Sequence, residues 1–329
     1  MSLDIHEFSE KITKHVQRIN RFRAEIGKVV VGQDGMISRL LVGLLTDGHI
    51  LLEGVPGLAK TTAIKTLAEA LATRFQRIQF TPDLLPSDLV GTMIYVPAEG
   101  TFKTRKGPLF SNFVLADEIN RAPSKVQSAL LEAMQERQIT LGDATYPLED
   151  MFLVMATQNP IEQEGTYPLP EAQIDRFMFK LKITYPPQSD ERLILDRALS
   201  GVRTKVEPVL SSQDILFLQK LVGQIYIDES VKQYILNVVQ ATRFPETMGM
   251  KRLKNLIEYG ASPRASIFLG KGAKAVAFLA GRGYVTPQDV KDLAYDVLRH
   301  RIILTYEAEA EQMTTEDIIA RILETIPVP

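Results

Sequence analysis

The sequence predicts an α/β protein: a parallel five-stranded sheet covered by helices and carrying inserted hairpins, followed by a small all-helical domain. Three observations carry this. Five short apolar runs, at 49–53, 75–80, 113–116, 151–156 and 178–183, are separated by turns or helical patterns, and runs of that kind suit parallel strands buried on both faces. A glycine-containing turn at 54–61 joins the first run to a helical pattern. Beyond about residue 189 the strand signals stop and only helical spacing continues.

Each element follows from its own pattern. Residues 6–28 predict an amphipathic helix, with Phe8, Ile12, Val16, Ile19, Phe22 and Ile26 at helical intervals, and a second helix covers about 33–46. Two hairpins interrupt the sheet, one over 89–106 turning at Ala98-Glu99-Gly100 and one over 138–149 turning at Gly142-Asp143. Helices are expected at 190–200, 212–223, 229–243, 263–280, 287–300 and 315–325. Ser262 before Pro263 caps one of them, and Thr286-Pro287 with Asp289 forms a capping box on another. Tyr185-Pro186-Pro187 is the expected hinge, which divides the chain into domains 1–187 and 188–329.

Composition narrows the function classes. The 329 residues are enough for two domains of ordinary size, and 45% hydrophobic with 24% charged content excludes disordered and collagen-like chains. Lys and Arg number 38 against 40 Asp and Glu, a net charge of −2, so nothing electrostatic favours nucleic acid as the main partner. The absence of cysteine excludes disulfides, thiolate nucleophiles and Cys-ligated zinc. His6, His15, His49 and His300 are scattered, with no pair at metal-ligand spacing. No apolar run approaches membrane length and the first thirty residues lack a signal core, so a cytoplasmic protein without a membrane span is expected. The acidic stretch 307–317 is read as a solvated face.

The strongest motif is Gly54-Val55-Pro56-Gly57-Leu58-Ala59-Lys60-Thr61, followed by Thr62. It leaves an apolar strand and opens a helix with Ile64, Leu67, Ala68 and Leu71 on one face, the context that G-x-x-x-x-G-K-[ST] requires. In such a P-loop, backbone N–H groups and the positive helix end wrap a polyphosphate, Lys60 reaches the β- and γ-phosphates, and the Thr61 hydroxyl completes a Mg²⁺ shell. Ala59 stands where the pattern has glycine; a helix-start conformation acceptable to alanine is expected there.

Downstream, the run 113–116 ends in Asp117-Glu118, a carboxylate pair at the C-terminal edge of a buried strand. Consecutive side chains diverge on a strand, so Asp117 can hold Mg²⁺ through water while Glu118 activates the attacking water. Asn159, just past another apolar strand, can position that water between the acids and the phosphate loop, or simply serve as a turn residue before Pro160. Arg176 precedes the last strand and, by itself, reads as a surface cation. Arg264 lies in the first turn of a helix, where it opposes the macrodipole and calls for an anion or an acidic partner.

Together these segments resemble the MoxR family of AAA+ ATPases. The resemblance rests on Val30-Val31-Gly32-Gln33, 54–61, 79–92, 115–123, 130–136, 155–160, 169–177, 260–265, 284–290 and 298–302, in order over nearly the whole chain. It implies an AAA+ core, two inserted hairpins and a helical lid. It also implies ATP and Mg²⁺ as cofactors, with Val31 and Gln33 by the adenine, 54–61 as Walker A and Asp117-Glu118 as Walker B. Asn159 would be sensor 1, Arg264 sensor 2, and Arg176 the arginine finger acting on a neighbour's site, with Arg121 as the alternative finger. Such proteins form homo-oligomeric rings, usually hexamers, and act as chaperone-like maturation factors on protein clients, often with a von Willebrand factor A domain partner. The alternatives are an AAA+ nucleic-acid motor and a nucleotide-dependent scaffold.

Three weaker signals complete the reading. Gly270-Lys271-Gly272-Ala273-Lys274-Ala275 fits a dinucleotide-binding pattern, but lies inside one predicted helix with no strand before it, so both glycines are read as close-packing positions. Lys103, Arg105 and Lys106 follow the first hairpin turn and are either solvated or contacts for a client or DNA. Arg299-His300-Arg301 ends a helix, where cations complement the dipole.

Overall fold

The computed structural model describes residues 5–55, 57–160, 165–201 and 204–329. Helices α1 (Ile5–Gly27) and α2 (Asp34–Thr46) lead into strand β1 (Ile50–Glu53), helix α3 (Lys60–Ala70) and strand β2 (Phe75–Gln79). A short helix α4 (Pro86–Val90) precedes the hairpin β3 (Gly91–Val96) and β4 (Thr101–Lys106). Then follow β5 (Phe113–Asp117), α5 (Ser124–Glu136), the hairpin β6 (Gln138–Leu141) and β7 (Ala144–Pro147), β8 (Leu153–Gln158), α6 (Glu171–Ile174) and β9 (Phe179–Lys182). The remainder is α7 (Gln188–Ser200), α8 (Ser212–Gly223), α9 (Glu229–Arg243), β10 (Ile257–Tyr259), α10 (Pro263–Leu279), α11 (Pro287–Leu298), β11 (Ile303–Leu304), α12 (Tyr306–Ala310) and α13 (Thr315–Thr325).

The central sheet has the order β2-β5-β8-β1-β9, and its β2–β5, β5–β8 and β8–β1 pairs are all parallel. Strands β5 and β8 are buried along nearly their whole length, as expected for inner strands of a parallel sheet. Strand β2 differs from the expectation of a run buried on both faces: it is an edge strand, and Gln76, Arg77 and Gln79 are exposed. Helix α2 buries Ile37, Leu40, Leu41 and Leu44, the i, i+3, i+4, i+7 stripe of a core-facing helix. Helix α3 buries Ile64, Leu67 and Ala68, with Leu71 just after it.

The chain divides into two compact units, one of Arg21–Arg176 with Leu181–Leu216 and one of Met1–Asn20, Phe177–Lys180 and Phe217–Pro329. In the first unit, both hairpins form as expected. They also touch each other. Thr104 Oγ1 lies 3.0 Å from Tyr146 Oη, Met93 Sδ packs on Gly142 (φ +60°), and Lys106 Nζ stands over the rings of Phe110 and Tyr146, 4.7 and 5.2 Å from their centroids. Under the sheet, buried His49 accepts the Val154 N–H at Nδ1 (3.0 Å), so Nε2 carries the proton it donates to Met134 O at 3.3 Å. Burial, with the Arg137 charge nearby, pushes its pKa down to about 3.

The second unit is mostly helical, and it departs from the expected all-helical lid by one small antiparallel ribbon of β10 and β11. Runs of three and two residues are too short to show alternation. The expected caps are present: Ser262 Oγ accepts the Arg264 N–H, and Thr286 and Asp289 form the capping box. The cluster after α11 does more than complement a helix dipole. Arg299 donates to Lys180 O (2.7 Å), His300 Nε2 to Phe177 O (3.1 Å), and Arg301 to Phe177 O (2.6 Å) and Met178 O (3.3 Å). Buried Arg301 also stacks over Phe268, 5.0 Å from the ring centroid.

Candidate active site at the strand ends

The parallel order places the ends of β5, β8 and β1 side by side, with β8 in the middle. In register, Ala116 faces Ala156 and Leu52 faces Thr157, so the acids after β5 and the loop after β1 flank the end of β8. There a cavity of about 390 Å³ is lined by Gly57, Ala59, Lys60, Thr61, Thr62, Arg77, Asp117, Glu118, Thr157 and Asn159. Strand-end crevices of open α/β sheets are where ligands bind.

The loop lies between two tight constraints. Gly54 packs so closely on Ile183 that a Cβ would come within 2.9 Å of its carbonyl oxygen. Gly57 has φ +86°, and Ala59 adopts φ +57°, ψ 17°, a left-handed conformation. The expected helix-start conformation for Ala59 is therefore wrong: helix α3 begins one residue later, and the turn asks of Ala59 what a glycine would supply without strain. Lys60 Nζ donates to Gly54 O at 2.6 Å, folded back over the loop. Partial burial lowers its pKa, while Asp117 and Glu118 act in the opposite direction. Pro56 lies outside the described residues.

Both acids are held by neighbours. Thr157 Oγ1 donates to Asp117 Oδ1 at 2.6 Å and accepts the Glu118 N–H at 2.8 Å. Arg77 donates twice to Asp117 Oδ2, at 3.0 Å from Nε and 2.6 Å from Nη2. Gln79 accepts from Arg77 at 2.9 Å and donates to Glu118 Oε2 at 2.8 Å. Arg121 Nε stands 3.3 Å from the same Glu118 oxygen. Glu118 itself sits at φ +56°, which turns the chain sharply as it leaves the sheet. Arg77, Gln79 and Thr157 were not singled out from the sequence. Polar residues at i and i+2 in a strand beside the acid-bearing run were the available signal for the first two.

The structure thus gathers Gly57, Ala59, Lys60, Thr61, Thr62, Asp117, Glu118 and Asn159 around one space. Val31, Gln33, Gly54, Val55 and Leu58 are not among its lining; Gln33 instead donates to Thr184 O at 3.3 Å. Nor does Arg176 line it; its guanidinium donates to Leu131 O on α5 at 2.6 Å. Arg264 belongs to the helical unit, at the second position of α10.

A magnesium ion fits this donor set. The Thr61 hydroxyl and Asp117 carboxylate are hard oxygen ligands opening on one cavity. Among the described residues no group of three or more His, Cys, Asp or Glu could hold a metal unaided. Magnesium, which is bound by one or two carboxylates together with substrate phosphates, does not need such a group.

The sequence model of the ATPase family associated with various cellular activities (AAA) matches residues 49–179, and that of the AAA lid domain matches 250–322. Chaperone MoxR1 of Mycobacterium tuberculosis is 49% identical over 98% of this chain and 85% of its own length. The chain belongs to the MoxR family of AAA+ ATPases. Protein MoxR of Methylorubrum extorquens is 30% identical over 94% of each chain. A solved structure from Cytophaga hutchinsonii, assigned as an ATPase, superposes with a TM-score of 0.92 at 55% identity over 97% of each chain. As a member of this family the protein is a P-loop ATPase with an α/β core and a helical lid. No helix among the described residues is long and apolar enough to cross a membrane.

Proposed function

We propose that this MoxR-family ATPase binds Mg²⁺·ATP in the cavity between the 54–61 loop and Asp117-Glu118 and uses its hydrolysis to remodel or mature a protein client in the cytoplasm. The carrying observation is the single space shared by Lys60, Thr61, Asp117, Glu118 and Asn159. The loop N–H groups and Lys60 bind the phosphates, with Thr61 and Asp117 as the metal's ligands. The ion, when bound, neutralises charge developing on the transferred phosphoryl group. Glu118 accepts the proton of the attacking water, and Asn159 orients that water. Val31 and Gln33 lie toward the adenine, the unit of Arg21–Arg176 with Leu181–Leu216 forms the nucleotide core, and Arg264 in the helical unit senses the γ-phosphate.

In this reading the site is completed in a homo-oligomeric ring, a hexamer, by Arg176 from a neighbouring subunit. Arg176 does not line its own cavity, and Arg121 is engaged with Glu118 of the same chain, which favours Arg176 as the residue acting in trans. The chaperone-like role follows a relative whose name is Chaperone MoxR1; the proposed partner class is a von Willebrand factor A domain protein.

The test is a pair of variants and their mixture. Glu118→Gln is expected to keep nucleotide binding and lose about 10²–10⁴ in turnover, whereas Lys60→Ala loses nucleotide affinity. Arg176→Ala alone should be equally slow, but mixing it with Glu118→Gln should restore turnover at interfaces that combine one intact Glu118 with one intact Arg176. Normal turnover by Glu118→Gln removes that residue from the mechanism, and mixtures no faster than their parts remove the shared site.

A further inference from the structure

We propose that Arg77 is a stand-in cation for the metal: its guanidinium occupies the Asp117 carboxylate until Mg²⁺ arrives with nucleotide, and the ion must displace it. This rests on the nucleotide-and-magnesium reading above and adds a residue that reading does not contain.

Asp117 is largely buried, its side chain 14% exposed, and both oxygens are already engaged: Oδ1 by the Thr157 hydroxyl at 2.6 Å, Oδ2 by two Arg77 N–H groups at 3.0 and 2.6 Å. Of the roughly four lone-pair sites of a carboxylate these donors take three, and Arg77 takes both on Oδ2, so a metal ion or a water bound to it reaches Oδ2 only when Arg77 gives way. Thr157 is poorly placed to do so. It is 1% exposed, and its hydroxyl also receives the Glu118 N–H, so moving it would strand a second polar group. Arg77 stands on the edge strand β2 with its side chain 51% exposed, and its guanidinium also borders the cavity. It has both the freedom and the space to swing away.

Electrostatics favours the same exchange. A guanidinium on Oδ2 and a divalent cation on that carboxylate would be cations a few ångströms apart, strongly repulsive in a partly buried site. Until the ion arrives, the arginine supplies the charge that a largely buried carboxylate needs. Arginine suits this task because its fork engages one carboxylate through two parallel N–H groups. A charged side chain on an exposed edge strand also discourages edge-to-edge pairing, a purely structural role that predicts no influence on metal binding.

Binding of Mn²⁺, followed as loss of the free-ion electron paramagnetic resonance signal, separates the two. The full chain is titrated with Mn²⁺ in the presence of ADP kept below the protein concentration, alongside Arg77→Gln and Arg77→Lys. Removing the competitor should lower the Mn²⁺ midpoint of Arg77→Gln about two- to five-fold, the scale of one part-exposed ion pair. Arg77→Lys, which keeps the charge without the fork, should tighten it less. Equal melting temperatures of the three proteins would show that the change is local. A Mn²⁺ midpoint in Arg77→Gln that is unchanged or raised overturns the proposal while leaving the nucleotide site intact. Failure of the unaltered chain to take up a fluorescent ADP overturns the nucleotide reading itself, and this inference with it.

Discussion

Thr157 Oγ1 donates its proton to Asp117 Oδ1 across 2.6 Å and itself receives the Glu118 N–H. One buried side chain on β8 thereby fixes the direction of both acids at the end of β5. Thr157→Val keeps the shape and removes these bonds. It should cost about 1–3 kcal/mol of stability, from a buried N–H left without a partner. Turnover should fall by about ten-fold or more while nucleotide affinity changes little, and Thr157→Ser should restore most of both. Unfolding titrations and phosphate release measure the two effects. Equal turnover in Thr157→Val and the unaltered chain would deny the hydroxyl a positioning role.

The left-handed conformation of Ala59 makes a second prediction. An L-residue there carries a cost of about 1–2 kcal/mol that glycine avoids, partly offset by glycine's greater loss of chain entropy. Ala59→Gly should therefore be neutral to about 1 kcal/mol more stable in denaturant titrations, with nucleotide binding retained. A loss of more than about 1 kcal/mol would mean that the loop does not hold this conformation.

Helix α10 contains two glycines with opposite expectations. A Cβ on Gly272 would come within 2.6 Å of Leu293 Cδ1 and 3.1 Å of Met178 Cε, whereas one on Gly270 would meet nothing within 4 Å. Only Gly272 is thus a close-packing position, which corrects the reading of both from sequence. Gly270→Ala should stabilise by about 0.5–1 kcal/mol, because alanine is the better helix former. Gly272→Ala should lose more than it gains, by about 1 kcal/mol or more, through overpacking. Thermal melts of the two variants should move in opposite directions.

Acid should unfold the protein partly through its buried imidazoles. His49 is held neutral down to a pKa of about 3, and burial with the adjacent Arg301 charge lowers His300 well below its usual value. The unfolded chain takes up those protons below about pH 6.5. The stabilising contribution is therefore complete above that pH, and that of His49 is lost as pH falls toward 3, by about 1.4 kcal/mol per pH unit, with His300 acting in the same direction. Between pH 6.5 and 5, above the range where most carboxylates titrate, His49→Gln should remove about one proton's worth of this slope. An unchanged slope would mean that His49 titrates normally.

Much of this architecture was legible because strand runs, caps and turn residues announce themselves locally. The five sheet strands, both hairpin turns and the Ser262 and Thr286 caps all lie where their patterns put them. The phosphate loop and Asp117-Glu118 were readable for the same reason, since each is a contiguous motif beside an apolar strand. What escaped depends on neighbours distant in sequence. Arg77 and Gln79 matter only because β2 pairs with β5 in a register that sets Gln79 beside Asp117. Thr157 matters only because β8 lies between β5 and β1. The φ of Ala59 escaped for a different reason: the motif names residue types, whereas the strain belongs to the backbone.

The contact between the two hairpins limits how this protein can be re-engineered. Exchanging the first hairpin alone for that of a relative would strip Tyr146 of its hydroxyl neighbour at Thr104 and of the ammonium above its ring, while leaving Gly142 without the sulfur that packs on it. The two insertions are separate in sequence but interlocked in space. Chimeras should transplant them together, and a graft of only one should yield a protein whose surface is unsettled in both places.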